Sequence, residues 1–243
     1  TGVGAYAFAN CARLTSVTIP DSVISIGEYA LSHCLSLATA TIGDGVTAIE
    51  VGTFEGCVNL TRVDIGRSVS MLRSGTFASC RKLNAIIVDP LNACYSSSGG
   101  VLFDRSRATL IQYPVAKVGS YTVPNSVRNI GEYAFAGCTG LRGVTIPNSV
   151  TSIGEYAFSR CTGLTNATIG ERVAILGPEA FADCSGLSCI TIPDSVTNIG
   201  HGAFAACTSL TNAAIGRRVG AIPNGLFSYC HKLATVTIPA GIT

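Results

Sequence analysis

Apolar residues recur along this chain at a fixed interval of 23 residues. The repeats align on one large apolar position, Phe in all copies but one, at 8, 31, 54 and 77 and then at 135, 158, 181, 204 and 227. The step from Phe77 to Phe135 is 58 residues, or 23 + 35, so one long repeat separates two regular groups. A cysteine follows each aligned position by three residues, and a leucine follows that cysteine by three more. A repeat this short cannot bury its own apolar face, so the pattern predicts a solenoid of stacked repeats.

Two local patterns predict the secondary structure inside each repeat. In "LTSVTIP" (14–20), Val17 and Ile19 alternate with polar residues, which indicates a short strand. In "GEYAFSRC" (154–161), Ala157, Phe158 and Cys161 are three and four residues apart, which predicts a short helical or 3₁₀ turn with one buried face. With residues 121–123 of the long repeat included, the chain has ten predicted strands. After the later strands, proline and glycine alternate at the turn, which gives a second period of 46 residues.

The repeat, with copies such as "LTSVTIPDSVISIGEYALSHC" (14–34), resembles the BspA-like (treponemal-type) leucine-rich repeat over essentially the whole chain. The segment "YSSSGGVLFDRSRATLIQYP" (95–114) resembles an insertion that recurs in that family. Its pattern predicts a hairpin of 101–103 with 109–113. The asparagine that most leucine-rich repeats carry after the strand is absent, as is typical of this subtype.

The resemblance implies an α/β repeat solenoid that forms one domain over residues 1–243. It is expected to be right-handed, with short parallel strands on the concave face and short helical or 3₁₀ turns on the convex face. The 35-residue repeat with its hairpin insertion is expected at about 89–123. The resemblance also implies a secreted or cell-surface protein, often an adhesin that binds host proteins or other cells, and no catalytic residues.

Composition and charge narrow the classes of partner. Charged residues make up 12% of the chain and the net charge is +2, with both signs scattered, so a nucleic-acid surface is not expected. No apolar run is long enough to insert into a membrane. Neither a signal peptide nor polar capping repeats are evident, so we expect the chain to be a piece of a larger protein.

The eleven cysteines are interpreted as structural. Nine occupy one repeat position, which predicts a row of buried thiols, and buried free cysteine acts as a small hydrophobic residue. A spacing of one cysteine per repeat does not fit a zinc site. Cys94 and Cys189 break the register, and Cys189 is predicted to point outward from a strand. A tolerated surface substitution explains Cys189 better than a functional thiol.

The remaining motifs do not point to an enzyme. The glycines at Gly43 and Gly45 are explained by the repeat and precede no helix that could bind a nucleotide. His33, His201 and His231 occupy different repeat positions, so they are not expected to converge. No cofactor or metal is predicted.

What remains is the outward face of the strands, which is rich in threonine and nearly uncharged. We predict that this face binds a protein or glycan ligand, with candidate residues Arg62, Asp64, Arg142, Thr145, Asn166, Thr168, Thr191 and Asn212. Threonine is also the β-branched polar residue that an exposed strand tolerates, which would explain the pattern without a ligand. Two other roles stay open, the targeting arm of a larger enzyme and an intracellular interaction scaffold, in which reducing conditions would preserve the thiols.

Overall fold

A computed structural model describes residues 1–73 and 75–242 of the chain. Contacts divide these residues into two compact units. The first comprises residues 1–107 with 113–116, and the second comprises 108–112 together with the chain from Lys117 onward.

The described part of the first unit contains strands β1 to β10. These are β1 (Gly2–Val3), β2 (Ser16–Ile19), β3 (Ser25–Ile26), β4 (Thr39–Ile42), β5 (Ala48–Ile49), β6 (Arg62–Ile65), β7 (Met71–Leu72), β8 (Ala85–Val88), β9 (Tyr95–Ser98) and β10 (Val101–Asp104). Strands β2, β4, β6 and β8 form one parallel sheet, and β1, β3, β5 and β7 form a second. Within these two sheets, paired residues lie 23 positions apart in the sequence, as Ser16 and Thr39 do.

The second unit repeats this arrangement with strands β11 to β21. These are β11 (Thr109–Gln112), β12 (Gly119–Thr122), β13 (Asn129–Ile130), β14 (Leu141–Thr145), β15 (Ser152–Ile153), β16 (Asn166–Thr168), β17 (Ile175–Leu176), β18 (Cys189–Thr191), β19 (Asn198–Ile199), β20 (Asn212–Ala214) and β21 (Thr235–Thr237). The longer strands form two parallel sheets, β12-β14-β16 and β18-β20-β21. The short strands form the ladder β11-β13-β15-β17-β19.

The parallel strands of the sequence-based prediction are therefore present, and each unit is a parallel β-solenoid. Strands occur at all ten predicted places, including the long repeat, where β12 overlaps residues 121–123. The ladder of two-residue strands was not predicted, because two residues are too few to establish an alternating pattern.

The predicted helical or 3₁₀ turn is wrong. None of the residues described by the structure is helical, and the segment from Gly154 to Cys161 is a series of turns. The N–H of Ala157 bonds within the turn to the Gly154 carbonyl, at 3.3 Å, whereas the N–H of Phe158 bonds to Ala180 of the next repeat, at 2.7 Å. A right-handed helix would direct both groups back along its own turn, so bonds between repeats replace the helix.

Left-handed backbone at two positions per repeat explains this arrangement. Tyr156 and Arg160, which flank Phe158 at two residues on either side, have φ values of 53° and 58°. The same two positions have positive φ in every regular repeat, and only some of them hold glycine. Each such residue interrupts a right-handed helix and reorients the peptide groups, at a cost of about 1–2 kcal/mol when the residue has a side chain.

Ala206→Gly is expected to stabilise the protein by about 0.5–1 kcal/mol, because Ala206 holds a φ of 55° that glycine adopts without strain. Thermal unfolding should show a rise in Tm of about 2 °C. The matched control is Ala205→Gly, at a neighbouring position outside the left-handed region, which should lower stability by a similar amount. Equal effects of the two substitutions would contradict the proposed strain.

The core of each unit is a stack of equivalent side chains. In the second unit, neighbouring phenylalanine rings lie parallel, with centroids 4.5 Å apart for Phe135 and Phe158 and 4.8 Å apart for Phe158 and Phe181. The predicted cysteine row is buried in its interior, with no exposed surface at the aligned cysteines from Cys34 to Cys80 and from Cys138 to Cys207. The prediction is wrong at the two ends of the row, where Cys11 is exposed and Cys230 is partly exposed, because each belongs to a terminal repeat of the described stack. All eleven thiols are free, so the cysteine row is held by packing and not by disulfide bonds.

Most thiols of this row also make a hydrogen bond that the sequence did not reveal. The Cys57 Sγ donates to the carbonyl of Leu31 in the preceding repeat, at 3.1 Å. The Cys161 Sγ donates in the same way to Phe135, also at 3.1 Å. Bonds of 3.0 to 3.3 Å with this geometry recur at Cys34, Cys80, Cys184, Cys207 and Cys230. The aligned cysteine is therefore a buried small residue that also links its repeat to the one before it.

The alternating glycine and proline after the strands have a steric cause. A Cβ placed on Gly170 would lie 2.5 Å from the carbonyl oxygen of Pro147, and one on Gly216 would lie 2.1 Å from that of Pro193. A side chain at either glycine would clash with the backbone of the preceding repeat. Pro147 and Pro193 are therefore each followed by a repeat that needs glycine at the same position.

The long repeat folds back through a hairpin in the first unit. Strands form at both segments predicted for the insertion: β10 contains 101–103, and β11 covers all of 109–113 except Tyr113. Within the first unit, β10 pairs antiparallel with β9, a strand that sequence reasoning missed. The Ile86 N–H bonds to Gly100 at 2.9 Å, which attaches the hairpin to β8.

Asn92 anchors this hairpin. It is fully buried, at the repeat position where other repeats have a core valine such as Val69. Its amide donates to the carbonyls of Gly66 and Val69, both at 2.9 Å. Its oxygen accepts from the N–H groups of Cys94 and Tyr95, both at 2.8 Å. One side chain therefore connects the start of the hairpin to the preceding repeat.

Candidate functional site

The outward face of the longer strands in the second unit carries two straight rows of side chains. The pairing of Thr122 with Thr145 and of Thr145 with Thr168 defines the first row in one sheet. In the other sheet, Thr191 pairs with Ala214, which pairs with Thr237. The second row comprises Ser120, Gly143, Asn166, Cys189, Asn212 and Thr235. We call these two rows the second-unit face.

Five of the candidate residues lie on this face and are exposed, namely Thr145, Asn166, Thr168, Thr191 and Asn212. Asn166 and Thr168 belong to β16, and Thr145 is the direct partner of Thr168 on β14. Thr191 and Asn212 lie on the paired strands β18 and β20. Thr145, Asn166 and Thr168 therefore share one sheet, and Thr191 and Asn212 share the other. Whether they bind a ligand stays a prediction.

Arg142 lies beside the rows and not in them. It is exposed at the start of β14, and its Nη1 lies 3.3 Å from the Cβ that Gly163 lacks. Its backbone carbonyl accepts bonds from the N–H and the hydroxyl of Thr165, both at 2.9 Å. A ligand on the second-unit face would meet Arg142 at its edge.

Arg62 and Asp64 lie on β6 of the first unit and neutralise one another. The Arg62 Nη2 and the Asp64 Oδ1 are 2.6 Å apart, and the Arg62 Nε donates to both carboxylate oxygens at 2.9 and 3.0 Å. These hydrogen bonds raise the pKa of the Arg62 guanidinium. The sequence suggested two separate charged anchors, whereas the structure shows a single ion pair within one strand.

Threonine has two distinct roles in this fold. Just before the strands, threonine hydroxyls donate to carbonyls of the preceding repeat, as Thr165 does to Arg142 and Thr211 does to Ser188, at 2.9 and 3.0 Å. Threonines in the rows of the second-unit face make no side-chain hydrogen bond within the described residues. Their hydroxyls are therefore available to a ligand.

The turn side of the second unit offers a shallow groove of about 530 Å³. It is lined by Glu179, His201, Gly202, Ala205, Asn224, Gly225 and Ser228. The Tyr156 hydroxyl donates to the Glu179 Oε1 at 3.2 Å, which raises the pKa of Tyr156, and the His201 Nε2 lies 3.9 Å from the same oxygen. The groove is open to solvent, and one oxygen of the Glu179 carboxylate already accepts a hydrogen bond from Tyr156.

The thiols and metal-ligating residues add no second site. Cys189 is exposed, as its register predicted, and Cys94 is exposed as well. Among the described residues, no group of three or more His, Cys, Asp and Glu side chains is arranged to hold a metal ion. The same residues include no helix with the length and apolar character needed to cross a membrane.

Parallel strands in 23-residue register, with an apolar ladder inside, define a leucine-rich-repeat type of β-solenoid. The family model that describes the BspA type leucine rich repeat region matches residues 1–99 and 112–234 of this chain, in six copies. The chain belongs to this family of repeat proteins, which is typical of bacterial surface proteins and protein-interaction modules. A comparison with curated proteins found no match.

Solved structures of bacterial leucine-rich-repeat proteins have the same fold. The pneumococcal vaccine antigen PcpA superposes with a TM-score of 0.83 at 24% identity, over 90% of this chain and 55% of that one. This chain therefore spans about half the length of PcpA. A leucine rich cell surface protein from Faecalibacterium prausnitzii gives a TM-score of 0.70 at 27% identity, over 98% of this chain and 82% of that one. A leucine-rich repeat protein from Eubacterium ventriosum gives 0.60 at 22% identity, over 97% and 72%.

Proposed function

We propose that the chain is a binding module of a secreted or cell-surface protein that recognises a protein or glycan ligand on neighbouring cells. It binds through the outward faces of its longer strands. The main support is the exposed polar side chains of the second-unit face, which have no partner within the described residues. Side chains held in fixed register on paired strands lose little further freedom when a ligand binds.

A surface location is supported by the family and by the resemblance to the cell-surface protein of F. prausnitzii. The proposed role requires no catalytic residue and no cofactor. It extends the general role of repeat solenoids, whose long faces serve as binding surfaces.

The test is a binding screen of the full chain against immobilised extracellular-matrix proteins, glycans and intact cells. For a ligand found in this way, Thr168→Arg should lower affinity by roughly tenfold or more, because it places a long charged side chain in the centre of one sheet. Arg62→Ala should lower affinity if the ligand also uses the first unit. Thr162→Arg and Arg218→Ala are the matched controls, since both sites are exposed but lie outside the strands. If neither Thr168→Arg nor Arg62→Ala weakens binding, the proposed site is refuted.

A further inference from the structure

The second-unit face differs chemically from an ordinary protein-binding surface. In its rows every side chain is short, and none is charged or aromatic. Energetic centres of protein interfaces are rich in Trp, Tyr and Arg, and these rows offer none of the three. Hydroxyl and amide groups, which both donate and accept, suit a neutral ligand that carries many hydroxyl groups.

The spacing of these groups is set by the backbone. Paired strands lie about 4.8 Å apart, so each row presents one side chain at that interval, and the two rows are about 6.6 Å apart along the strands. The pairing of Thr122, Thr145 and Thr168 in register places three hydroxyls in line across one sheet. Beside them, Ser120 and Asn166 flank Gly143, and a Cβ on this glycine would lie 2.9 Å from the Ser120 hydroxyl oxygen, so the serine side chain covers the glycine.

We propose that the second-unit face binds a neutral, extended polysaccharide whose chain runs across the strands. One pyranose ring of such a chain spans a distance close to one strand spacing, so successive sugars meet successive strands. The serine, threonine and asparagine side chains of the two rows bond the sugar hydroxyls. This inference rests on the proposed function, because it assigns a ligand class to the same face.

The role of the free hydroxyls distinguishes this proposal from a purely structural explanation of threonine. Thr165 and Thr168 belong to the same repeat and are both exposed, but only Thr165 uses its hydroxyl within the protein. Removing the hydroxyl of Thr168 should therefore affect a sugar ligand and leave folding unchanged. Removing that of Thr165 should affect the protein alone.

The experiment measures binding of cellohexaose, mannohexaose and cellobiose to the full chain by calorimetry, with a galacturonate hexamer as the charged counterpart. We expect a neutral hexasaccharide to bind at least about tenfold more tightly than cellobiose, because it reaches more strands. Thr168→Val should weaken that binding about fivefold, whereas Thr165→Val should leave it within about twofold. Thermal unfolding of both variants checks that they fold.

Failure of every neutral hexasaccharide to bind, or equal binding by wild type and Thr168→Val, overturns the polysaccharide proposal. Preference for the galacturonate hexamer overturns it as well. If sugars fail but Thr168→Arg abolishes binding to a matrix protein, the face is a protein site and the proposed function survives. If no ligand of either class is affected by changes on this face, both proposals are overturned.

Discussion

Raising the pH from 7 to 10.5 is expected to destabilise the protein by several kcal/mol, because its buried thiols resist ionisation. Burial raises the pKa of Cys57 from 9.0 to about 12. Burial likewise raises the pKa of Cys80. In the unfolded chain these thiols ionise near pH 9, whereas in the folded protein they stay protonated.

The sign of the effect follows from proton binding. The stabilisation is fully present below pH 9 and decreases as the pH rises from 9 towards 12, because there the unfolded state binds fewer protons than the folded state. Each such thiol contributes a loss of about 2 kcal/mol at pH 10.5. Cys57 and Cys80 together lose about 4 kcal/mol, which is a large part of the total stability of a typical domain, about 5–15 kcal/mol.

Urea unfolding followed by circular dichroism at pH 7, 9 and 10.5, with a reducing agent present, measures this loss. Cys57→Ala should be less stable than wild type at pH 7 but should lose about 2 kcal/mol less on going to pH 10.5. Cys94→Ala, at an exposed position, should follow the wild-type pH profile. A free energy of unfolding that is the same at pH 7 and pH 10.5 would show that the thiols are not protected.

Asn92→Ala is expected to lower the free energy of unfolding by about 3–5 kcal/mol, because four buried hydrogen bonds lose one partner each. The carbonyls of Gly66 and Val69 and the N–H groups of Cys94 and Tyr95 then have to find other partners in the interior. Chemical unfolding gives the loss of stability. Amide hydrogen exchange should show faster exchange concentrated in β9 and β10.

Asn59→Ala is the matched control, since Asn59 makes a single bond of this kind, to the Leu35 carbonyl at 2.7 Å near the surface. Its cost should be about 0.5–1.5 kcal/mol. Asn92→Asp keeps the acceptor but directs a carboxylate oxygen at two carbonyls, so it should not restore stability. If Asn92→Ala and Asn59→Ala cost the same, Asn92 does not anchor the hairpin.

The repeat register made much of the fold predictable. The positions of the longer strands and the burial of the aligned cysteines follow from period-two and 23-residue patterns, which depend on side-chain polarity alone. The conformation of the turn does not follow from polarity. Tyr156, Arg160 and Ala206 adopt positive φ without the glycine that would have signalled it, so a helix and this turn share the same pattern of buried residues.

The exposed face that carries the candidate residues was predictable in position and less so in chemistry. Register alone placed Asn166 and Thr168 on an exposed strand face. It did not reveal that Arg62 pairs with Asp64 in the same strand, since such a pair depends on rotamers. Asn92 did leave a signal, because it is a polar residue at a position that otherwise holds valine, immediately before the insertion. The ligand has no comparable signal, because threonine serves strand formation and recognition equally well.

Bonds between repeats join the same relative positions throughout each regular group, from thiol to carbonyl and from turn N–H to turn carbonyl. An added or deleted segment of one repeat length therefore meets a neighbour with matching donors and acceptors at either junction. In the later repeats, where proline and glycine alternate from Pro147 to Pro239, exchange of a pair of repeats, 46 residues, also preserves the steric fit. Duplication or loss of gene segments of that size would therefore change the length of the exposed strand face while the hydrogen bonds that recur between neighbouring repeats are kept.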